Sequence, residues 1–153
     1  MCVSSGRNIR LKKELESFNK APIEGISIKS MDKNRLKLLC SIKGPKDTPY
    51  EKGTFYLNLE IPEKYPINSK IIFSFITPIF HPNISSYGRL CDFIMDSPAM
   101  TIPKYLLLIS SLIANPIPDD PLEPEIAYLY RTDKAKFESI AKKWTELYAM
   151  KKE

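Results

Sequence analysis

The sequence predicts an α+β fold in which a helix precedes an antiparallel sheet and further helices follow it. The chain has 153 residues, of which 43% are hydrophobic, and that share is sufficient for a packed core. Apolar residues recur at helical spacing near both ends of the chain, whereas the stretches between residues 36 and 75 alternate at a period of two. Short turn clusters separate those stretches, and such connections favour an antiparallel meander because parallel strands need long crossovers.

The elements before residue 76 follow from these two periods. Residues 7–19 are predicted to form an amphipathic helix with Leu11, Leu15 and Phe18 on one face. Strands are predicted where apolar residues alternate, at residues 36–42, 55–61 and 71–75. Residues 26–30 could supply a further short strand, which would complete a four-stranded meander.

Residues 77–102 follow neither period, and they contain Pro78, Pro82, Gly88 and Pro98. An irregular segment of this length in a compact domain is usually functional or disordered. Its many apolar residues argue against disorder. We therefore expect the functional site to lie in this segment.

Helical patterns return after the irregular segment. Pro103 suits the first turn of a helix, and residues 105–114 are almost wholly apolar, which predicts a buried central helix. The proline-rich run 116–121 is predicted to be extended, and a short helix is predicted near residues 124–130. The last helix is predicted from the helical spacing of apolar residues between Phe137 and Tyr148, with Asp133 as its N-cap.

Composition and charge limit the classes of protein to consider. We expect one domain over residues 1–153, with residues 1–6 flexible. The sequence shows no membrane span or secretory signal, so we expect a protein of the cytoplasm or the nucleus. Three scattered cysteines and a single histidine fit neither a disulfide framework nor a metal site. The net charge of +5 comes from basic residues interleaved with acidic ones, which is typical of solvated helix faces, and we expect no nucleic acid partner.

Two side chains of the irregular segment could take part in catalysis. His81 and Cys91, ten residues apart, could form the nucleophile and base of a hydrolase. A lone cysteine, however, is most often a small buried apolar residue, and a histidine before proline more often fixes a turn. A hydrolase also needs a group that orients its histidine, and the sequence places none. Spacing alone leaves these alternatives open.

The order of motifs resembles that of the ubiquitin-conjugating enzymes, the E2 family. His81-Pro82-Asn83, with Cys91 eight residues after the asparagine, is similar to the active-site signature of that family. Other motifs stand in the family's order over nearly the whole chain: Lys13-Glu14-Leu15, Gly44-Pro45, Thr48-Pro49-Tyr50-Glu51, Tyr65-Pro66, Ser97-Pro98-Ala99, Pro118-Asp119-Asp120-Pro121-Leu122 and Trp144-Thr145. The resemblance implies the UBC fold: an N-terminal helix, a four-stranded antiparallel meander, an irregular active-site segment, and central and C-terminal helices.

The resemblance also implies a chemistry. Cys91 would accept ubiquitin from an E1 enzyme as a thioester and pass it to a substrate lysine. Asn83 would support the oxyanion of that transfer or hold the loop that shapes the site. Asp120 would orient the incoming lysine and favour its deprotonation. His81 and Pro82 would then be structural, and no cofactor or metal would be needed beyond the ATP that E1 consumes.

A partner surface is implied in the same way. Arg10, Lys13, Ile67, Pro98 and Ala99 lie where E2 enzymes meet E1 and E3 ligases of the RING or HECT type, and a monomer is expected. The interval from Cys91 to Ser97 is shorter than in typical ubiquitin E2 enzymes, which leaves the modifier and the ligase open. Two alternatives follow: an E2 for another ubiquitin-like modifier, and a weakly active or non-catalytic E2-variant scaffold.

Overall fold

The computed structural model of the chain describes residues 2–30, 37–65, 71–90 and 100–150, apart from the side chains of residues 2–6 and 30. Nine helical and extended elements cover most of these residues. In chain order they are α1 (Cys2–Lys20), β1 (Ile26–Ser30), β2 (Lys37–Lys43), β3 (Thr54–Glu60), β4 (Ile72–Phe75), α2 (Ile102–Ala114), α3 (Pro124–Thr132), α4 (Lys134–Trp144) and a π-helical turn (Thr145–Ala149). This order confirms the predicted α+β class, although α1 begins earlier than the predicted residue 7.

The four strands form one antiparallel sheet in the order β1-β2-β3-β4. Register follows the alternation in the sequence, since Cys40 lies opposite Leu57, and Leu57 lies opposite Phe75. All three are buried and therefore point to the same face of the sheet. Fewer than a dozen residues separate consecutive strands, which is too few for the crossover that parallel strands need and explains why the meander could be predicted.

The inner face of the sheet and the helix α2 form one hydrophobic core. Leu106, Ile109 and Ile113 of α2 belong to the same buried cluster as the inward residues of β2 and β3. Helix α2 begins where Thr101 caps it, since the Thr101 side chain accepts a hydrogen bond from the backbone N–H of Lys104. Pro103 lies in its first turn, as predicted. The core therefore fixes α2 against the inner face of the sheet.

The last helix departs from its predicted pattern after Trp144. Asp133 caps α4 as predicted, but residues Thr145–Ala149 form a π-helical turn. The extra residue in this turn rotates the chain, so that Thr145 and Ala149 are buried. Leu147 and Tyr148, which were predicted to lie on the apolar face, are exposed instead. None of the helices in the described part of the chain is long and apolar enough to cross a membrane.

Candidate functional site

The predicted active-site segment contains a buried turn at His81-Pro82-Asn83. The His81 ring is fully buried, and its Nε2 lies 2.9 Å from the carbonyl oxygen of Leu112 in α2. Its Nδ1 accepts a hydrogen bond of 3.0 Å from the backbone N–H of Asn83, so Nε2 carries the proton. Burial lowers the pKa of His81 to about 4. The ring therefore stays neutral and has no free lone pair to act as a base.

Asn83 joins this turn to the loop after α2. Its amide Nδ2 donates to two carbonyl oxygens, those of Ile117 at 2.8 Å and Asp120 at 3.1 Å. Its Oδ1 accepts from the backbone N–H of Ile117 at 2.7 Å. Both amide hydrogens are thus used within the protein. This geometry supports the loop-holding role that was predicted as one of two for Asn83.

Pro82 adds to the same connection through its carbonyl oxygen. That oxygen accepts hydrogen bonds from the backbone N–H groups of Leu122 at 2.8 Å and Glu123 at 3.0 Å. The Glu123 carboxylate in turn accepts from the backbone N–H of Ser86 at 3.0 Å. The loop from Ile117 to Glu123 is therefore held at both of its ends against the turn that leads towards Cys91.

The two acidic residues of that loop differ in their surroundings. The carboxylate of Asp119 forms an ion pair with Arg131 of α3. Asp120 is exposed, and its carboxylate has no hydrogen-bond or ion-pair partner within residues 2–30, 37–65, 71–90 and 100–150. Asp120 is therefore the carboxylate that remains free to meet an incoming cation.

The six residues 85–90, which we call the lip, lead to Cys91. The lip is a tight turn: Ser85 N–H donates to the Arg89 carbonyl, Gly88 N–H donates to the Ser85 carbonyl, and Phe75 N–H donates to the Gly88 carbonyl, at 2.8–2.9 Å. Gly88 has a φ of 88°, and a Cβ at this position would lie 2.2 Å from the Phe75 carbonyl oxygen. Only glycine fits such a conformation and approach, so the lip is a rigid structure attached to the end of β4.

A buried carboxylate on α1 joins two parts of the chain beside the predicted partner surface. Glu14 accepts hydrogen bonds of 2.7 Å from the Arg10 Nε, the Tyr65 hydroxyl and the backbone N–H of Ile102. Arg10 also donates to the Met100 carbonyl at 3.1 Å. The sequence alone indicates no role for Glu14, although its position three residues after the buried Leu11 places it on the inner face of α1. Through these hydrogen bonds, α1 links Tyr65, which follows β3, to Met100 and Ile102 at the beginning of α2.

The predicted site residues are only partly within the described structure. Lys13 is exposed on α1, whereas the side chain of Arg10 is about two-thirds buried, with 29% exposed. The other predicted residues, Cys91, Ile67, Pro98 and Ala99, lie outside the described residues.

Among the described side chains, neither a second accessible thiol nor a metal site competes with the predicted nucleophile. The thiol of Cys40 is buried in the sheet, and burial raises its pKa to about 12, so it is neither accessible nor ionised. Within the part of the chain that the structure covers, no three His, Cys, Asp or Glu side chains are close enough to bind a metal ion.

Comparison with known proteins places these features in a family context. Residues 10–145 match the family model described as ubiquitin-conjugating enzyme. The fold matches the crystal structure of a Plasmodium yoelii protein assigned as a ubiquitin conjugating enzyme, with a TM-score of 0.88 and 39% sequence identity. The match covers 94% of this chain and 96% of that one. It confirms the predicted UBC fold over nearly the full length of both chains.

Proposed function

The chain belongs to the ubiquitin-conjugating enzyme family, and we propose that it carries ubiquitin as a thioester on Cys91 and transfers it to substrate lysines with an E3 ligase. The observation that carries the proposal is the connection made by Asn83. It holds the loop of residues 117–120 against the turn that leads to Cys91, and it leaves the Asp120 carboxylate exposed.

The proposed reaction consists of two acyl transfers. The Cys91 thiolate attacks the thioester carbonyl of E1-bound ubiquitin, and the E1 thiolate leaves. A substrate lysine amine then attacks the new thioester, the carbon–sulfur bond breaks, and Cys91 leaves as a thiolate while an isopeptide bond forms. Asp120 attracts the lysine ammonium and takes up its proton, so that the attacking amine is neutral. Asn83 and Pro82 act indirectly, because they hold the loop that carries Asp120.

Two features support the proposed partner surface for E1 and for RING or HECT ligases. Lys13 is exposed on α1 beside a groove of about 480 Å³ between α1 and α2, with Phe18, Pro103 and Leu107 in its apolar lining. An apolar surface with a basic margin suits transient protein partners. Arg10 supports this surface mainly by holding its parts together, because its guanidinium binds the Glu14 carboxylate and the Met100 carbonyl oxygen.

The proposal is tested by incubating the protein with E1, ATP and ubiquitin and separating the products on a gel with and without reductant. We expect one reductant-sensitive ubiquitin adduct, which is absent in Cys91→Ala. If no adduct forms with ubiquitin but one forms with a related modifier, the chain is an E2 for that modifier. If none forms with any modifier, the chain is a non-catalytic scaffold and the proposal is wrong.

A second experiment tests the role of Asp120. The Asp120→Ala variant should be charged by E1 normally, whereas its discharge to free lysine should be slower by about 10²-fold or more, the range for loss of a proton acceptor. Asp119→Ala is the matched control, because it removes the adjacent carboxylate, which is already paired with Arg131. Equal discharge rates for the two variants would contradict the assignment.

A further inference from the structure

The side chain of Glu123 connects two segments of the site that are far apart in sequence. Its Oε2 accepts a hydrogen bond of 3.0 Å from the backbone N–H of Ser86, 37 positions earlier. Ser86 belongs to the lip, which ends directly before Cys91, and Glu123 ends the loop that carries Asp120. In the described part of the chain, no other hydrogen bond joins the lip to residues 117–123.

Glu123 occupies the N-cap position of α3, but its side chain does not cap that helix. The carboxylate makes no capping hydrogen bond to the first helical turn. Serine, threonine, aspartate and asparagine are the usual N-cap residues, because their short side chains reach the N–H groups of that turn. The longer glutamate reaches across to the lip instead. The formation of α3 therefore does not explain why this position carries a glutamate.

The position of the bond suits it to fix a distance within the site. The lip is attached to the end of β4, where the Phe75 N–H donates to the Gly88 carbonyl. The loop is attached to the turn before the lip through the Asn83 side chain. Glu123 adds a direct connection between the lip and the loop, and a carboxylate acceptor makes that hydrogen bond stronger than a neutral one would be.

We propose that Glu123 is a positioning residue for the transfer step: its bond to Ser86 holds the lip, and with it the Cys91 thioester, at the distance from Asp120 that lets the attacking lysine reach the carbonyl carbon. Reacting atoms must approach to about 3–3.5 Å, and a displacement of about 1 Å can slow a reaction about 10²-fold. In this role Glu123 acts through the lip and does not touch the lysine. The inference rests on the proposed function and adds a residue to that reaction.

The test is single-turnover discharge of the purified ubiquitin thioester to free lysine. Glu123→Ala should be charged by E1 normally and discharge about 10-fold more slowly, because a hydrogen bond to a charged group shifts an equilibrium by about that factor or more. Glu123→Gln should stay within about 3-fold of the wild type, because its amide oxygen can still accept from the Ser86 N–H. Glu125→Ala is the matched control, since it removes an exposed carboxylate from the same helical turn and should leave the rate unchanged.

Three further measurements distinguish positioning from a general loss of structure. Glu123→Asp supplies a preferred N-cap residue, so its melting temperature should be equal to that of the wild type or higher, while its discharge slows as in Glu123→Ala. Hydroxylamine attacks as a neutral amine at neutral pH and does not need the Asp120 carboxylate, so it should discharge the wild type and Glu123→Ala at equal rates. Added to Asp120→Ala, the Glu123→Ala change should have no further effect, because the carboxylate that it positions is absent.

The outcomes separate the two proposals. If no thioester forms, the proposed function fails, and the role of Glu123 fails with it. If the thioester forms and Asp120→Ala slows its discharge, but Glu123→Ala discharges as fast as Glu125→Ala, only the role of Glu123 is wrong. An equal loss in Glu123→Gln and Glu123→Ala, or a full additional loss in the double variant, would also contradict that role, since the charge or the fold, and not the bond to Ser86, would then set the rate.

Discussion

The Asn83→Ala substitution tests the central claim about the site, that one side chain holds the loop that carries Asp120. The substitution removes the two hydrogen bonds that Nδ2 donates and the one that Oδ1 accepts. It also leaves the carbonyls of Ile117 and Asp120 without these partners. Since Asn83 itself is fully buried, the substitution leaves a small void below the surface where the amide made these bonds.

The expected loss follows from these three bonds. Each contributes a net of about 0.5–1.5 kcal/mol, and the loop is partly exposed, so we expect the free energy of unfolding to fall by about 2–3 kcal/mol. For a domain of this size the melting temperature should fall by about 5–10 °C. Discharge of the thioester to lysine should slow to a similar extent as in Asp120→Ala, about 10²-fold, because the carboxylate is no longer held in place.

Urea unfolding and single-turnover discharge measure the two effects, and Asn83→Asp separates hydrogen bonding from packing. The aspartate keeps the volume and can still accept from Ile117 N–H, but it places an oxygen opposite two carbonyl oxygens. It should therefore be at least as unstable as the alanine variant at neutral pH. If Asn83→Asp had the stability and discharge rate of the wild type, the hydrogen bonds would not hold the loop and the reasoning would be wrong.

Three further predictions concern groups on or near the site. Burial lowers the pKa of His81 to about 4, below its usual 6.5, so the native state resists a proton that the unfolded state binds. The resulting stabilisation of about 3 kcal/mol is complete above pH 6.5 and is lost as the pH falls to 4. Urea unfolding should show this loss in the wild type but not in His81→Gln. Equal slopes of unfolding free energy against pH in the two proteins would contradict the prediction. Gly88→Ala should lower the free energy of unfolding by more than backbone strain alone, which costs about 1–3 kcal/mol, because the new Cβ meets the Phe75 carbonyl oxygen. Gly25→Ala is the control, because Gly25 has a similar φ of 85° but its Cβ would have its nearest neighbour at 3.6 Å. A melting temperature no lower for Gly88→Ala than for Gly25→Ala would refute the clash. The thiol of Cys40 has a pKa raised to about 12 by burial and should escape iodoacetamide in the native protein at pH 8, so peptide mass spectrometry that finds it alkylated as fast as a free thiol would show that the strand opens.

Local patterns in the sequence sufficed to predict the sheet and the helices, because each depends on neighbouring residues. The alternation of apolar residues at Leu38, Cys40 and Ile42 specifies a face of β2. The connections to β1 and β3 are too short for a parallel crossover, so both neighbours pair with β2 in the antiparallel direction. The π-helical turn could not be predicted in the same way. It depends on how Thr145 and Ala149 fit against Gly53, where a Cβ on the glycine would lie only 2.6 Å and 2.8 Å from their side chains.

Residues of the site could be predicted only from the resemblance to the E2 family, because the hydrogen bonds of the site join parts of the chain that are distant in sequence. Asn83 binds backbone atoms of Ile117, 34 positions away, and Glu14 binds Ile102, 88 positions away. Neither pairing leaves a periodic trace in the sequence. A buried Glu14 could have been suspected from its position on the inner face of α1, but its three donors could not have been identified.

The geometry of His81 also distinguishes a carrier from a hydrolase, the alternative that spacing alone left open. A cysteine hydrolase needs a base that is accessible to its thiol and to water, and that can be protonated near neutral pH. His81 is the only histidine in the sequence, and it is fully buried, with one ring nitrogen bonded to the Leu112 carbonyl and the other to the Asn83 N–H. Its lowered pKa means that it gains a proton only near pH 4. The thioester that we propose on Cys91 would therefore have no histidine to activate water, which agrees with the proposed transfer to lysine and argues against a hydrolase.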